Sequence, residues 1–320
     1  INDGLMAIFF LLIGLELERE IYKGELSSFK AALLPISAAL GGIILPAVLY
    51  TFLNYNTPLQ SGAGIPMATD IAFAIGILSL LGKRVPAALK VFITAFAIAD
   101  DIGAILVIAF FYTKSLSWFY LLTSLSIFAI LCVLNRKKVH TLLPYLIGGL
   151  AMWYCMLNSG VHASITGVLL AFAIPFGNGE ENSVSYKLQQ FLHKPVAFVI
   201  LPVFALANTA IPVVSGWYEA LTEPQNVGIA LGLLIGKPVG ITLFSFFVIK
   251  KRWALLPEGL TMKTVLGAGL LGGIGFTMSV FICMLAFADP ILINNAKIMI
   301  LISSGLAGLA GYLYLARILK

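Results

Sequence analysis

Long runs of apolar residues alternate with short polar stretches along the whole chain. The runs fall at roughly 4–22, 30–53, 64–82, 86–112, 117–135, 141–157, 160–175, 195–212, 226–249, 264–288 and 294–317. At a rise of about 1.5 Å per residue, crossing a hydrocarbon layer of about 30 Å takes about 20 residues, so each run spans a bilayer or nearly does. The two shortest, 141–157 and 160–175, are expected as tilted or partly buried helices. No run alternates with period two, and lipid admits only helices or closed barrels. The pattern predicts an all-α membrane protein of about eleven transmembrane helices, in one transmembrane domain over residues 1–320.

Composition agrees. Of the 320 residues, 60% are hydrophobic and 11% charged, against about 25% charged in a soluble domain. Too few charges remain to cover a water-facing surface. The net charge of +6 does not indicate a nucleic-acid partner, because Lys and Arg gather in short loops, the positive-inside pattern of a membrane protein. Cys132, Cys155 and Cys283 lie far apart inside apolar runs and offer neither a metal-ligand spacing nor a disulfide framework.

Those loop charges orient the helices. One side carries Arg19, Lys23 and Lys30, then Lys83 and Arg84, then Arg136, Lys137 and Lys138. The same side carries Lys187 and Lys194, then Lys250, Lys251, Arg252 and Lys263, and last Arg317 and Lys320. The intervening loops hold little besides Lys114 and Lys297. The basic side is expected to face the cytoplasm. Ile1 then begins on the far side without a basic, cleavable leader, so a further spanning helix is expected upstream of it.

Two stretches interrupt the apolar pattern in matching places. The first is Gly62-Ala63-Gly64-Ile65-Pro66-Met67-Ala68-Thr69-Asp70; the second includes Gly267, Gly269 and Gly272-Gly273-Ile274-Gly275-Phe276-Thr277-Met278-Ser279. Each lies in the middle helix of a three-helix group, 30–112 and 226–317. Glycine or proline breaks in corresponding helices of two halves mark the site of inverted-repeat transporters. Glycines also serve close helix packing in membranes, so the breaks acquire meaning from the charges near them.

Those charges are Asp70, Asp100, Asp101 and Lys237, which stand within apolar runs rather than in loops. A charge at the bilayer centre costs at least about 3 kcal/mol, and a structural ion pair with Lys237 accounts for only one of the adjacent aspartates. Neighbouring positions on a helix diverge by about 100°, so one of Asp100 and Asp101 can face a cavity while the other faces a helix. Lys237, in the kink-prone Gly236-Lys237-Pro238, is the expected partner of one of them. Carboxylates, the Thr69 hydroxyl and carbonyls freed at a break are hard oxygen ligands for Na⁺ or Li⁺, and the carboxylates also take up protons. A site holding either the cation or protons is a minimal exchanger, electrogenic if both aspartates titrate. The chain is therefore read as a transporter and not an enzyme, with Na⁺, Li⁺ and H⁺ as cargo and no cofactor.

Other polar residues carry less. His162 opens the 160–175 helix, where a satisfied helix-end histidine and a proton-linked one read alike. His140 and His193 are expected in loops, exposed. Glu16, Glu18, Arg19 and Glu20 form a cluster at the cytoplasmic end of the first helix, either a solvated face with i,i+4 pairing or a pH-sensing group.

The chain resembles the NhaA family of bacterial Na⁺/H⁺ antiporters. The match runs through Ile1-Asn2-Asp3-Gly4-Leu5-Met6, Gly14-Leu15-Glu16, Ala68-Thr69-Asp70-Ile71-Ala72-Phe73, Ala99-Asp100-Asp101-Ile102-Gly103-Ala104, Gly160-Val161-His162-Ala163, Gly236-Lys237-Pro238 and Gly272 to Ser279. The resemblance implies exchange of cytoplasmic Na⁺ for external protons across a bacterial inner membrane, for Na⁺ and pH homeostasis. It implies Asp101 as principal cation-binding carboxylate and Asp100 as its proton-linked neighbour, paired with Lys237 when the site is empty. It implies Asp70 and Thr69 at one unwound helix, Asp70 offsetting the facing helix dipoles. Gly272, Gly273, Gly275, Thr277 and Ser279 would lie at the other, the two crossing near mid-membrane. Glu16 and Glu20 match the family's pH-sensing cluster. Two features depart. The family's first helix and the extracytoplasmic hairpin through which it forms homodimers do not occur in the sequence, and Lys187-Leu188-Gln189-Gln190 stands where the cluster's glutamate and histidine are expected.

Three other readings are weaker. A sodium-coupled symporter of the same fold, such as those carrying bile acids, needs a larger substrate cavity and more polar residues around the cation. An intramembrane aspartyl protease needs two carboxylates about 3 Å apart sharing one proton, whereas Asp100 and Asp101 diverge and no Gly-x-Gly-Asp occurs. A passive channel needs an acidic ring or a filter loop.

Overall fold

The computed structural model describes residues 2–113, 116–177, 179–211 and 218–319. Lys114, Lys320, Ile1 and the end of the 195–212 run lie outside them. Every apolar run holds helix, and no strand occurs among the described residues. In chain order the α-helices are α1 (Asn2–Lys23), α2 (Phe29–Leu53), α3 (Ile71–Ser79), α4 (Ala87–Phe111), α5 (Trp118–Arg136), α6 (Leu143–Ser159) and α7 (Ile165–Ala173). They continue as α8 (Val184–Pro195), α9 (Leu201–Thr209), α10 (Pro224–Leu231), α11 (Lys237–Lys250), α12 (Met262–Gly272), α13 (Phe276–Ala286) and α14 (Pro290–Ile318).

Seven helical stretches among the described residues are long and apolar enough to cross a membrane, eight if the bent α12–α13 pair counts as one span. The expected eleven is not reached on that measure. The reasons are local: α1 ends in Glu16, Glu18, Arg19 and Glu20, α6 has 17 residues and α7 has 9. Some loop assignments also move. Lys187 and Lys194 belong to α8, and Lys297 stands within α14.

The chain divides into two compact units. The first comprises residues 1–27 and 105–207. In it α1 packs along α7 and α8, and α6 lies against α5 and α7. A Cβ on Gly167 would meet the Ala7 carbonyl, so α1 and α7 approach backbone to backbone.

The second unit comprises residues 28–104 and 208–320 and holds both sequence breaks. Here α2 lies along α10 and α11, and α12, α13 and α10 pack on α14. Its core includes Leu34, Leu78, Phe96, Ile241, Leu271 and Ala307. Each expected group shows a long helix, an interrupted element and a second long helix. In 30–112 the middle element is a 3₁₀ helix, Pro58–Met67, then extended residues 68–70, then α3. In 226–317 it is α12, the non-helical residues 273–275 and α13, bent by 50°.

Prolines and glycines explain the remaining irregularity. Pro238 lacks an N–H, and its ring conflicts with the carbonyl four residues back, that of Leu234. Leu234 sits in a π-helical turn, Gly232–Gly236, through which α10 passes into α11. At Gly41 and Gly240 a Cβ on either residue would strike the other's carbonyl, so α2 and α11 touch through their backbones.

This contact sets a test. Gly41→Ala is expected to lower stability by about 1–3 kcal/mol through overpacking. Gly76→Ala and Gly305→Ala, where a Cβ meets nothing within 4 Å, are expected to melt at or above wild type. Thermal melts in detergent check the contrast, and equal melting of all three would remove the backbone contact as a constraint.

Candidate functional site

The buried charges sit where the two interruptions of the second unit meet. The extended residues 68–70 leave backbone groups without helical partners, as do residues 273–275, and each break supplies the other. The Asp70 N–H donates to the Ile274 carbonyl at 2.6 Å. The Thr69 hydroxyl donates to the Gly272 carbonyl at 2.9 Å, and the Ser279 hydroxyl to the Ile65 carbonyl at 2.7 Å.

Asp70 caps two helices at once. One carboxylate oxygen accepts from the Phe73 N–H at 3.3 Å, in the first turn of α3. The other accepts from the Thr277 N–H at 3.2 Å, in the first turn of α13, and from the Thr277 hydroxyl. Helix N-termini carry partial positive charge and unpaired N–H groups, so one buried carboxylate answers both. The Ser304 hydroxyl on α14 accepts the Phe276 N–H at 3.0 Å. Ser304 escaped the sequence reading, since a serine in a membrane helix carries no positional signal of its own.

Lys237 opens α11 directly after the π turn, fully buried. Its Nζ lies 2.6 Å from Asp100 Oδ2 on α4 and also donates to the Thr69 hydroxyl. Asp101, next along α4, is 1% exposed, and its charge acts on the Lys237 ammonium. A Cβ on Gly42 of α2 would come within 3.9 Å of Asp100 Oδ1. The glycines serve close approach: a Cβ on Gly273 would strike the Leu233 carbonyl of the π turn, one on Gly272 would press Phe96 and Ile241, and one on Gly275 would meet Ser279.

The structure thus gathers Thr69, Asp70, Asp100, Asp101, Lys237, Gly272, Gly273, Gly275, Thr277 and Ser279 about one crossing. Thr69, read as a cation ligand, ties Lys237 to the end of α12, while Thr277 and Ser279 hold the breaks together. What the arrangement offers chemically is a set of buried carboxylates, one neutralised by an ammonium and one adjacent to it, in a frame fixed by backbone bonds.

The first unit holds the other candidates, and they are not together. Glu16 lies 3.4 Å from His193, which is exposed as expected but stands on α8 rather than in a loop. Its segment reads as loop because of its polar residues and Pro195, yet the helix carries on through a π turn, Val196–Ile200. Arg19 stacks on Tyr186 at 4.5 Å and donates to Gln189 at 3.4 Å, so the departing glutamine still partners the cluster. Glu20 accepts the Glu25 N–H at 2.9 Å. Glu18, the buried member, lies beside Ser185. His162 precedes α7 rather than opening it and lies 4.0 Å from Asp3. Asp3 is about 20 Å along α1 from Glu16, so His162 does not join the glutamates.

Residues 1–315 match the family model described as Na⁺/H⁺ antiporter 1. A protein of Flavobacterium psychrophilum named Na(+)/H(+) antiporter NhaA is 62% identical over 320 residues, covering 100% of this chain and 83% of the relative. Relatives of the same name from Cytophaga hutchinsonii and Dechloromonas aromatica are 59% and 58% identical over 320 residues. Those matches cover 100% and 99% of this chain and 83% and 82% of the relatives.

Removing one partner of the buried pair is expected to destabilise more than removing a cap. Lys237→Ala leaves Asp100 without its cation, at a cost of about 3–5 kcal/mol. Thr277→Val removes a hydrogen bond to a carboxylate, at about 1.5–3 kcal/mol. Thermal melts of the purified variants give the order, and a Lys237→Ala protein melting like wild type would refute a stabilising pair.

Proposed function

Because the chain belongs to the Na⁺/H⁺ antiporter 1 family, we propose that it exchanges cytoplasmic Na⁺ for external protons at the crossing of its two interrupted helices. It is a multi-pass membrane transporter rather than an enzyme, and it needs no cofactor. The observation that carries the placement of the site is the fully buried Lys237–Asp100 pair at 2.6 Å with Asp101 next to it.

In this reading Asp101 is the principal ligand of Na⁺, or of the similarly hard Li⁺, and Asp100 joins it by leaving Lys237. Without cargo, two carboxylates and one ammonium leave one negative charge, which a low-dielectric interior disfavours. One Na⁺ neutralises it. Two protons, one on each aspartate, leave the ammonium in surplus. The loaded forms differ by one charge, so exchange of two protons for one Na⁺ is electrogenic and responds to membrane potential. Asp70 stays with its two helix ends and keeps the frame. Residues 30–112 and 226–317 act as inverted repeats about the crossing, and a bacterial inner membrane is the location this reading implies.

The full-length protein in proteoliposomes with an imposed pH gradient tests it. Na⁺ or Li⁺ is expected to collapse the gradient, K⁺ is not, and Asp101→Asn is expected to lose the response while still reaching the membrane. An imposed potential, negative on the Na⁺-releasing side of the cycle or reversed, is expected to change the rate. No collapse by any cation across pH 6 to 9 would sink the reading, and potential-independent exchange would remove the two-proton count.

A further inference from the structure

We propose that the cytoplasmic end of α11 holds an anionic phospholipid, its headgroup on Lys250 and Lys251 and an acyl chain along Leu243, Phe246 and Phe247. A groove of about 730 Å³ lies there, lined by Leu243, Phe244, Phe246, Phe247, Lys250 and Lys251. Its volume is within the range of about 300–1,000 Å³ found for small-molecule sites. No carboxylate lines it among the described residues.

Its polarity runs along the helix. Lys237 stands at the crossing of the broken helices, and Lys250 is 13 positions further, about 20 Å along the axis, where α11 ends. The lysines therefore stand at the basic, cytoplasmic interface, while Leu243 and Phe244 lie a turn or two deeper in hydrocarbon. The ammonium groups are set over ring faces, Lys250 at 5.6 Å from the Phe246 centroid and Lys251 at 5.9 Å from that of Phe247. Such stacking orders side chains that otherwise wander through water. Trp253 packs edge-on to Phe247, centroids 5.9 Å apart, and exposes much of its indole. Arg252, in a left-handed turn of φ 59°, adds a third exposed cation. Ordered cations above an apolar, aromatic-walled slot complement a phosphate diester joined to acyl chains. A soluble anion would leave the slot bare, and a zwitterionic lipid would leave the cations without net charge to meet.

The inference is independent of the exchange reading, because lipid retention is read without transport. Full-length protein in mild detergent is titrated with phosphatidylglycerol, phosphatidylcholine or glycerol 3-phosphate, following bound lipid by native mass spectrometry and the melting temperature. Phosphatidylglycerol is expected to bind at least several-fold more strongly than phosphatidylcholine and to raise the melting temperature. K250Q/K251Q is expected to lose that preference and K250R/K251R to keep it. Phe246→Ala is expected to weaken retention of both lipids. Equal binding of both lipids by wild type would overturn the proposal. So would an undiminished preference in K250Q/K251Q, or glycerol 3-phosphate stabilising as well as the lipid.

Discussion

A charge buried in a protein that lives in hydrocarbon must have a partner or a cavity, and in this chain the partner of Lys237 is Asp100, at 2.6 Å. Several features of the second unit bring those two groups together. Lys237 reaches the crossing because α11 begins on the π turn that Pro238 imposes. Asp100 reaches it because α4 crosses beside Gly42 of α2, where no side chain intervenes. The hydroxyl of Thr69 joins the ammonium to the end of α12, so the pair is fastened to the backbone of one broken helix through a residue of the other.

The breaks themselves would be costly in lipid if each stood alone. Unsatisfied backbone groups away from water cost several kcal/mol apiece, and here the broken segments exchange them. Asp70 ties the amino ends of α3 and α13, Ile65 accepts from Ser279, and Ile274 accepts from Asp70. Carboxylates thus have two separate duties at one place. Asp70 is used up in structure, with both oxygens committed to helix ends. Asp100 pairs with the Lys237 ammonium, and Asp101 adjoins it on α4. In the exchange proposed above, that separation of a fixed frame from an ion pair lets cargo bind without dissolving the crossing.

Much of this was legible in the sequence because charge in an apolar run is a strong signal. Asp70, Asp100, Asp101 and Lys237 stood out for that reason, and Gly272 and Gly275 because glycines interrupt the apolar pattern at corresponding places in two helix groups. The direction of a hydroxyl carries no such signal. Thr69 read as a cation ligand, and its bond to Gly272 depends on where α12 ends, a tertiary fact. Ser304 was silent for the same reason. His193 was misplaced because Pro195 and the polar residues of α8 resemble a loop, and only packing on α1 shows a helix with the histidine turned to Glu16. Helix identity followed from apolar length, whereas the number of spans did not, since α7 has 9 residues and α1 ends in a charged cluster.

In the proposed exchange, cation and protons compete for the Asp100–Asp101 carboxylates, and proton release on cation binding tests this most directly. Purified protein in weakly buffered detergent, at a pH where the site holds protons, is mixed with Na⁺ while a pH dye records the change. Protons are expected to appear in saturable proportion to bound Na⁺, and Asp101→Asn is expected to give neither binding nor release. Saturable Na⁺ binding with no proton release at any pH from 6 to 9 would contradict a shared site.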